Sequence, residues 1–194
     1  MNLIVAITGA TGVVLGTRLL EILGDLDDVK SYLILSEWGA RLIESEVGAS
    51  IAEVSKMADF MYDNDDLEAP VSSGSFSIDG MVIIPCTMDT MASIALGFSN
   101  DLISRAASVT LKEGRKLVLV VRETPLSPIH LRNMMTLSQA GAVILPPVLT
   151  FYHNPKGIDD LVDHIVGRVF EQFQIEHDLY SRWGSKEGGR QAGE

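Results

Sequence analysis

Five small residues in succession follow the first apolar run of the chain. They are Thr8, Gly9, Ala10, Thr11 and Gly12, and a segment with helical spacing comes next. A turn of small residues before a helix exposes backbone N–H groups beside the positive end of that helix, which suits a phosphate group. The run matches neither the GxGxxG fingerprint nor a P-loop. Ligand binding and a tight turn in which Thr11 caps the helix therefore both stay open.

Polar side chains also follow the next three buried runs. They are Ser36, the turn Thr87-Met88-Asp89-Thr90, and the pair Arg122-Glu123. In an open parallel sheet, ligands bind beyond the carboxyl ends of the strands, so these groups would meet at one edge. The alternatives are helix N-caps for the hydroxyl groups, and an ion pair at the edge of the sheet for Arg122 and Glu123.

The charge distribution favours an anionic small molecule as ligand. The chain has 194 residues, with 15 Lys and Arg against 26 Asp and Glu, and its formal net charge of −11 argues against a general nucleic-acid binder. Between residues 105 and 132, however, six cations face only Glu113 and Glu123. Such a basic island in an acidic chain fits an anionic ligand. A solvated helix face is the alternative, and we favour it for Arg115 and Lys116.

Metal and thiol chemistry are disfavoured. The four histidines, His130, His153, His164 and His177, show none of the spacings of a metal site. The acidic run from Asp63 to Asp66 lacks the glycine and glutamate of an EF-hand and predicts a solvated turn. Cys86 is the only cysteine and has no obvious His partner in the sequence, so a small buried hydrophobe is favoured over a nucleophile.

Short apolar runs alternate with segments of helical spacing. The runs are Leu3–Ile7, Tyr32–Leu35, Met81–Ile84, Leu117–Val121 and Ala142–Leu145, and each predicts a strand buried on both faces. The helical segments cover residues 15–23, 102–111, 129–140 and 158–173. This alternation predicts an α/β fold, with a parallel sheet between helices. Residues 59–77 show no regular pattern, and the glycine-rich, charged tail 184–194 predicts disorder.

The cellular compartment is predicted from what the sequence lacks. The N-terminal apolar run is short and no basic residue precedes it, unlike a signal peptide. No stretch approaches the length of a membrane span. A single cysteine fits a reducing environment. We therefore expect a soluble cytoplasmic protein.

Taken together, the motifs resemble those of the UbiX-type flavin prenyltransferases. The resemblance covers residues 2–183 and rests on the order and spacing of several short stretches rather than on any one of them. The stretches are Thr8-Gly9-Ala10-Thr11-Gly12, Ser72-Ser73-Gly74-Ser75, Pro85-Cys86-Thr87, Arg105-Ala106-Ala107, Leu111-Lys112-Glu113, Arg122-Glu123-Thr124-Pro125, His130-Leu131, Gly141 to Pro146, Phe151-Tyr152-His153-Asn154-Pro155 and Arg182-Trp183.

The resemblance implies a fold, an activity and partners. It implies one flavoprotein domain over residues 1–183, with a three-layer, Rossmann-like or flavodoxin-like fold, assembled as a homododecamer with active sites where subunits meet. It further implies transfer of a dimethylallyl group from dimethylallyl monophosphate to N5 and C6 of reduced FMN, without a metal. The prenylated FMN would then serve a UbiD-type decarboxylase.

The resemblance also implies roles for individual residues. FMN would be held by Gly9, Ala10, Thr11, Ser36, Thr87, Met88, Asp89, Thr90 and Arg122. The prenyl phosphate would be bound by Lys112, Arg122, Tyr152 and Arg168. Thr11, Glu46 and Glu123 would be catalytic, and we expect a partly buried Glu123 beside Arg122 to handle a proton. The chain departs from the common pattern at Thr11, Asp89 and Gly114, where many relatives have Ser, Lys and Arg.

Two other functions stay open at this stage. An FMN-dependent cysteine decarboxylase shares the flavin fold, but its catalytic histidine lies early in the chain and its substrate motif is Pro-x-Met-Asn. This chain has no histidine before His130 and lacks that motif. The second alternative is a non-catalytic FMN-binding subunit that supports a hydroxyarylic acid decarboxylase.

Overall fold

The structure is a computed structural model, and it describes residues 1–184. Within these residues, six parallel strands form one sheet in the order β3-β2-β1-β4-β5-β6. The strands are β1 (Asn2–Ile7), β2 (Lys30–Leu35), β3 (Phe60–Asp63), β4 (Gly80–Cys86), β5 (Lys116–Val121) and β6 (Val143–Ile144).

Helices connect the strands. The α-helices are α1 (Val14–Gly24), α2 (Glu37–Leu42), α3 (Ile51–Ser55), α4 (Met88–Ala95), α5 (Leu102–Lys112), α6 (Pro128–Gln139) and α7 (Ile158–Phe173). A π-helical turn, Ile43–Val47, follows α2, and a short 3-10 turn, Pro70–Ser72, precedes β4. None of the helices in the described part of the chain is both long and apolar enough to cross a bilayer.

All five apolar runs overlap strands of the sheet, and the predicted burial is confirmed for the first four. It is wrong for Ala142–Leu145, where β6 has only two residues, Val143 and Ile144, and both are half-buried at the end of the strand order. The prediction of irregular structure over 59–77 is wrong at its start, where β3 lies. This strand pairs only with β2, at one edge of the sheet, and its end residues Phe60 and Asp63 are exposed. A half-exposed edge strand needs no continuous apolar run, so the sequence pattern did not reveal it.

Helices cover both faces of the sheet and make three layers. On one face, Met91 of α4, Ala106 of α5 and Leu137 of α6 join Ile4 and Ile83 in one buried cluster. On the other face, α1 contacts β1, β2 and β4. Side chains along a strand point alternately to the two faces of the sheet. Because helices pack on both faces, most residues of the strands are buried. The predicted α/β class with a flavodoxin-like parallel sheet is confirmed.

Gly16 allows α1 to approach the sheet closely. A Cβ atom added at this residue would lie 2.5 Å from the carbonyl oxygen of Ile84 and 2.7 Å from Cδ1 of Ile7. Both distances are shorter than a van der Waals contact, so no larger side chain fits without a shift of the helix. No sequence pattern distinguishes Gly16 from the other small residues around it as the contact point.

The contacts divide the chain into two compact units, residues 1–147 and the part that begins at Val148. The first unit holds the whole sheet and helices α1 to α6. The second holds α7, which has the predicted bounds and buries Val162, Ile165, Val169 and Phe170. The single domain over residues 1–183 stays a prediction. The tail predicted to be disordered lies, beyond Gly184, outside the described residues.

Candidate functional site

The loops after β1, β2 and β4 meet at one edge of the sheet. These three strands are neighbours and run parallel, so their carboxyl ends lie side by side. Each leads into a helix, namely α1, α2 or α4, whose N-terminal end therefore lies at the same edge. The positive ends of three helices favour an anion there.

Thr8 joins two of these loops. This buried residue donates its hydroxyl hydrogen to the carbonyl oxygen of Pro85 at 2.7 Å. The same hydroxyl oxygen accepts a hydrogen bond from the backbone N–H of Thr87 at 2.9 Å. The small-residue turn after β1 and the hydroxyl turn after β4 are thus fixed to each other. Sequence reasoning assigned Thr8 no role, although a hydroxyl group directly after a buried strand was a usable signal.

The turn after β1 contains two positions, Gly9 and Gly12, that do not accommodate a residue with a side chain. A Cβ atom added at Gly9 would lie 2.3 Å from the Cβ of Trp38 at the start of α2. Gly12 has a φ of +94°, a conformation that residues with a side chain rarely adopt. Both glycines are therefore required by the shape of the turn. A turn of bare backbone at helix N-termini fits the phosphate end of a nucleotide such as FMN.

The hydroxyl groups after β2 and β4 cap their helices. Ser36 accepts a hydrogen bond from the N–H of Gly39 at 3.0 Å, and Thr87 accepts one from the N–H of Thr90 at 3.1 Å. The capping alternative is thus confirmed for both, and both remain half-exposed at the edge. In the first turn of α4, Met88 packs against the core and the exposed Asp89 brings a negative charge.

Thr11 does not cap α1, so that alternative is wrong. The N-cap of α1 is Val13, whose side chain makes no capping hydrogen bond. Thr11 is instead hydrogen-bonded to Glu46, which lies on the π-helical turn after α2. The carboxylate of Glu46 also accepts a hydrogen bond from the N–H of Gly12 at 2.9 Å. Ala10, at the centre of the turn, is buried.

These contacts lower the pKa of Glu46. Loss of hydration acts to raise the pKa although the side chain is exposed, but it is outweighed by hydrogen bonds from the Thr11 hydroxyl and the N–H groups of Gly12 and Val13, and by the positive charge of Arg122. Glu46 is therefore ionised at neutral pH and is a poor proton donor in the free protein. The structure brings Thr11, Glu46 and Arg122 together, as predicted for one site.

Arg122 and Glu123 lie at the end of β5. The N–H of Arg122 donates to the carbonyl oxygen of Cys86 at 3.1 Å, and its side chain is exposed. The carboxylate of Glu123 accepts a hydrogen bond from the N–H of Thr124 at 2.9 Å. Glu123 is exposed, so the expected partial burial is wrong for one copy of the chain.

Lys112 lies near the amino ends of the strands, opposite the carboxyl ends where the loops after β1, β2 and β4 meet. It is the last residue of α5, and β5 begins four residues later at Lys116, whereas Arg122 follows the end of that strand. A strand of this length spans about 16 Å. Lys112 forms an ion pair with Glu113. Within one chain, the structure therefore does not bring Lys112 to the other predicted phosphate-binding residue of this unit, Arg122.

The basic island is not a single anion site. Arg105 donates from Nε to the carbonyl oxygen of Ser72 at 3.0 Å. Arg115 donates to the carbonyl oxygens of Gly74 at 2.9 Å and Phe76 at 3.0 Å. The expectation of a solvated face is wrong for Arg115, because this side chain fixes the loop before β4. Cations that are neighbours in the sequence thus lie partly near the amino ends and partly near the carboxyl ends of the strands.

Cys86 is a buried hydrophobe, as predicted. Its side chain is fully buried at the end of β4, and burial raises the pKa of its thiol to about 12. The thiolate that a nucleophile requires is therefore suppressed at neutral pH.

The second unit holds Tyr152 and Arg168 in a cluster of aromatic and charged side chains. Tyr152 lies 3.4 Å from His164, measured from its hydroxyl oxygen to Nε2, and Arg168 forms an ion pair with Glu171. His153 stacks on His164 with ring centroids 5.0 Å apart. The rings of His164 and His177 both contact Tyr180. Three histidines that are scattered in the sequence thus come together in the fold.

No group of His, Cys, Asp or Glu side chains within residues 1–184 has the arrangement of a metal site. Burial is the main cause of a lowered pKa at both His164 and His177. The sequence could not reveal the cluster, because its members are brought together by the course of the chain around α7.

Comparison with known proteins assigns the family. A family model called Flavoprotein matches residues 1–170. The chain belongs to the Flavoprotein family. A member from Streptomyces sp. (strain D7), named "Probable UbiX-like flavin prenyltransferase", is 50% identical over 192 residues, which cover 99% of this chain and 96% of that relative.

Two solved structures are similar over most of the chain. One is AnUbiX (PadA1) in complex with FMN and dimethylallyl pyrophosphate, which is 48% identical with a TM-score of 0.92 and covers 94% of this chain and 96% of its own. The other is a dodecameric FMN-dependent UbiX-like decarboxylase from Escherichia coli O157:H7, 49% identical with a TM-score of 0.93, which covers 94% of this chain and 99% of its own.

Proposed function

We propose that this protein is a flavin prenyltransferase, which transfers a dimethylallyl group from dimethylallyl monophosphate to N5 and C6 of reduced FMN. The observation that carries the proposal is the group Thr11, Gly12, Glu46 and Arg122 at the carboxyl edge of the sheet. This group of residues occurs in a chain that is 50% identical to a relative named "Probable UbiX-like flavin prenyltransferase".

FMN fits the edge where the loops after β1, β2 and β4 meet. The turn from Gly9 to Gly12 and the N-terminal end of α4 suit its phosphate and polar groups, with the N–H of Gly12 already bound to Glu46. Glu46 holds the turn in place in its ionised form. Reduced FMN supplies the ring atoms that receive the prenyl group. The negative charge of Asp89 disfavours a phosphate close to its carboxylate, so α4 would contribute backbone N–H groups.

The cations assist departure of the phosphate. Negative charge grows on the phosphate of the donor as the allylic carbon–oxygen bond breaks, and fixed cations and a phenol stabilise it. Arg122, Arg168, Lys112 and Tyr152 are proposed for this role. Substitution at N5 breaks the carbon–oxygen bond of the donor and releases the N5 proton together with phosphate. Ring closure then forms the C6–carbon bond while the prenyl double bond takes up a proton at its other carbon and C6 loses its own proton, so the exposed carboxylate of Glu123 or the departed phosphate would relay these protons.

Lys112 would act in the site of a second copy of the chain. Because it lies about one strand length from Arg122, a single copy has no complete set of cations. A head-to-tail contact between copies would bring the two edges together, and rings of such contacts close into symmetric oligomers. The dodecameric relative supports this arrangement. We therefore propose a homo-oligomer, up to a dodecamer, with shared sites.

The product would pass to another enzyme. Prenylated FMN leaves the cytoplasmic transferase and becomes the cofactor of a UbiD-type decarboxylase. If the protein were only a supporting subunit of a hydroxyarylic acid decarboxylase, it would bind FMN and leave it unchanged. An FMN-dependent cysteine decarboxylase would instead oxidise a peptide-like cysteine and reduce FMN, without adding a prenyl group to the flavin.

The test is anaerobic incubation of the purified protein with reduced FMN and dimethylallyl monophosphate, followed by mass spectrometry of the released flavin. We expect the flavin to gain one five-carbon prenyl unit. A parallel reaction with dimethylallyl pyrophosphate identifies the preferred donor. Tight binding of FMN that stays unmodified with both donors would contradict the proposal and support the non-catalytic subunit.

A further inference from the structure

Glu171 is the centre of a hydrogen-bond network on α7. Its Oε2 atom pairs with Nη1 of Arg168, one turn earlier on the helix. Its Oε1 atom accepts a 2.6 Å hydrogen bond from the hydroxyl group of Tyr180 and lies 3.6 Å from Nε of Arg182. The Glu171 side chain is only 19% exposed, whereas that of Arg168 is 48% exposed. A mostly buried carboxylate thus holds a cation that reaches solvent.

Gly167 provides the space for this network. A Cβ atom at Gly167 would lie 2.6 Å from Cε1 of Tyr180 and 2.7 Å from Cε1 of His177. Glycine inside a helix costs about 1 kcal/mol relative to alanine, so its presence in the middle of α7 needs a reason. The reason given by the geometry is that the rings of Tyr180 and His177 rest directly on the helix backbone.

The network leaves part of the Arg168 guanidinium group available. A guanidinium has five N–H donors in a rigid plane, and Glu171 and Tyr180 together take up only part of this set. The pKa of Arg168 is raised, first by its hydrogen bond with Tyr180 and then by the charge of Glu171, against the opposing effect of burial. Arg168 is therefore held on one side and exposed on the other, which is the geometry of a pre-organised anion binder.

We propose that Glu171 and Tyr180 are positioning residues, which fix Arg168 so that it meets the phosphate of the prenyl donor, and that Gly167 serves to admit the Tyr180 ring. The inference rests on the proposed function, in which Arg168 binds that phosphate. Holding a flexible arginine in its binding conformation lowers the entropy lost when the ligand arrives. The two residues act through Arg168 and need not touch the donor.

Three variants test the positioning role: Glu171→Gln, Tyr180→Phe and Gly167→Ala. Steady-state kinetics should show the KM for dimethylallyl monophosphate raised about tenfold by Glu171→Gln and about threefold by Tyr180→Phe, as expected for loss of a charged and a neutral hydrogen bond. The KM for FMN should stay unchanged. Gly157→Ala is the control for Gly167→Ala, because a Cβ atom at Gly157, before the same helix, has no neighbour within 4 Å.

A double-mutant cycle separates positioning from a general loss of stability. If Glu171 acts through Arg168, the variant Arg168→Ala/Glu171→Gln should be no worse than Arg168→Ala alone. Glu171→Asp, which keeps the charge, should restore part of the lost affinity. Additive effects in the cycle, or a KM for the donor that stays the same or falls in Glu171→Gln, would overturn the proposal.

Binding of inorganic phosphate keeps the inference distinct from the proposed function. Calorimetry on the intact oligomer should show phosphate binding weakened in Glu171→Gln and Tyr180→Phe, whether or not the wild type prenylates FMN. Unmodified flavin with weakened phosphate binding would reject the transferase and keep the positioning role. Equal phosphate affinity in the wild type and in both variants would reject the positioning role. If Glu171→Gln fails to fold, the milder Tyr180→Phe, which keeps the ring, carries the test.

Discussion

The N–H of Gly12 donates a 2.9 Å hydrogen bond to the carboxylate of Glu46, 34 residues further along the chain. Through this contact, the π-helical turn after α2 fixes the small-residue turn after β1. Hydrogen bonds from Thr11 and Val13 and the positive charge of Arg122 also stabilise the ionised form of this carboxylate and lower its pKa. Glu46 is therefore placed to shape the backbone that would receive FMN.

Replacing Glu46 by Gln should weaken binding of reduced FMN by about tenfold, because a hydrogen bond to a charged group contributes about 1.5–3 kcal/mol. The amide keeps the shape of the side chain but loses the charge and offers one acceptor oxygen in place of two. Anaerobic titration, followed by flavin absorbance, measures the affinity. Glu44→Gln, on the same turn and also exposed, is the matched control. Equal affinity in the two variants would mean that the turn is ordered without the Glu46 carboxylate.

Mixing two inactive variants should restore activity if sites are shared between copies. Lys112→Ala and Arg122→Ala should each lose most prenyl transfer. After dissociation and reassembly together, random pairing would give about a quarter of the sites an intact Lys112 from one copy and an intact Arg122 from another. Prenyl transfer, followed by mass spectrometry of the flavin, measures the recovery. Mixtures that stay inactive, although they co-assemble, would place both residues in the site of one copy.

Stability should fall with acidification through the histidine cluster of the second unit. Burial, followed by the nearby charges of His153 and Arg168, lowers the pKa of His164 from its ordinary value of 6.5, and burial likewise lowers that of His177. Below about pH 6.5, both histidines take up protons in the unfolded chain, whereas in the folded chain they stay neutral until the pH reaches their lower pKa values. The free energy of unfolding should therefore decrease as the pH falls from 6.5 towards the folded pKa values, by up to about 1.4 kcal/mol per pH unit for each histidine.

Urea unfolding at several pH values measures this slope. His164→Gln should make it shallower. His130→Gln is the control, because His130 forms a capping box at the start of α6, where glutamine is a natural replacement. The same slope in His164→Gln and in the wild type would contradict the prediction.

The close approach of α1 to the sheet predicts different effects for one substitution at two sites. Gly16→Ala should destabilise the protein by about 1–3 kcal/mol, since the new methyl group meets the backbone of Ile84. Gly24→Ala, at the end of the same helix, places its methyl group 3.4 Å from the carbonyl oxygen of Met57 and should change stability much less. Thermal unfolding compares the two, and equal losses would show that the interior of α1 yields to the methyl group.

The architecture could be predicted from the sequence because its signals are local. Continuous apolar runs gave five strands, and helical spacing gave α1, α5, α6 and α7. The edge strand β3 and the helices α2, α3 and α4 were not predicted from spacing, because partly exposed elements of four to eight residues leave little apolar pattern. Their positions depend on tertiary packing.

The candidate site was predictable to the extent that it follows from strand ends. Ser36, Thr87 and Arg122 meet at one edge because parallel strands place them there. The bond from Gly12 to Glu46, the position of Lys112 at the other edge and the contacts of Glu171 depend on pairs of residues that the chain brings together from a distance or around a helix. Helical spacing encodes the pair Arg168–Glu171, but no spacing rule encodes the other contacts, so only the folded structure shows them.

The burial of Cys86 has a practical consequence for spectroscopy. Since the only sulfhydryl group in the sequence is fully enclosed and held in its neutral form, maleimide dyes and spin labels should leave the native protein untouched. A cysteine introduced at an exposed position would then be the one reactive handle per chain. Copies labelled with a donor dye and copies labelled with an acceptor dye could then be mixed to follow assembly by energy transfer, without first removing Cys86.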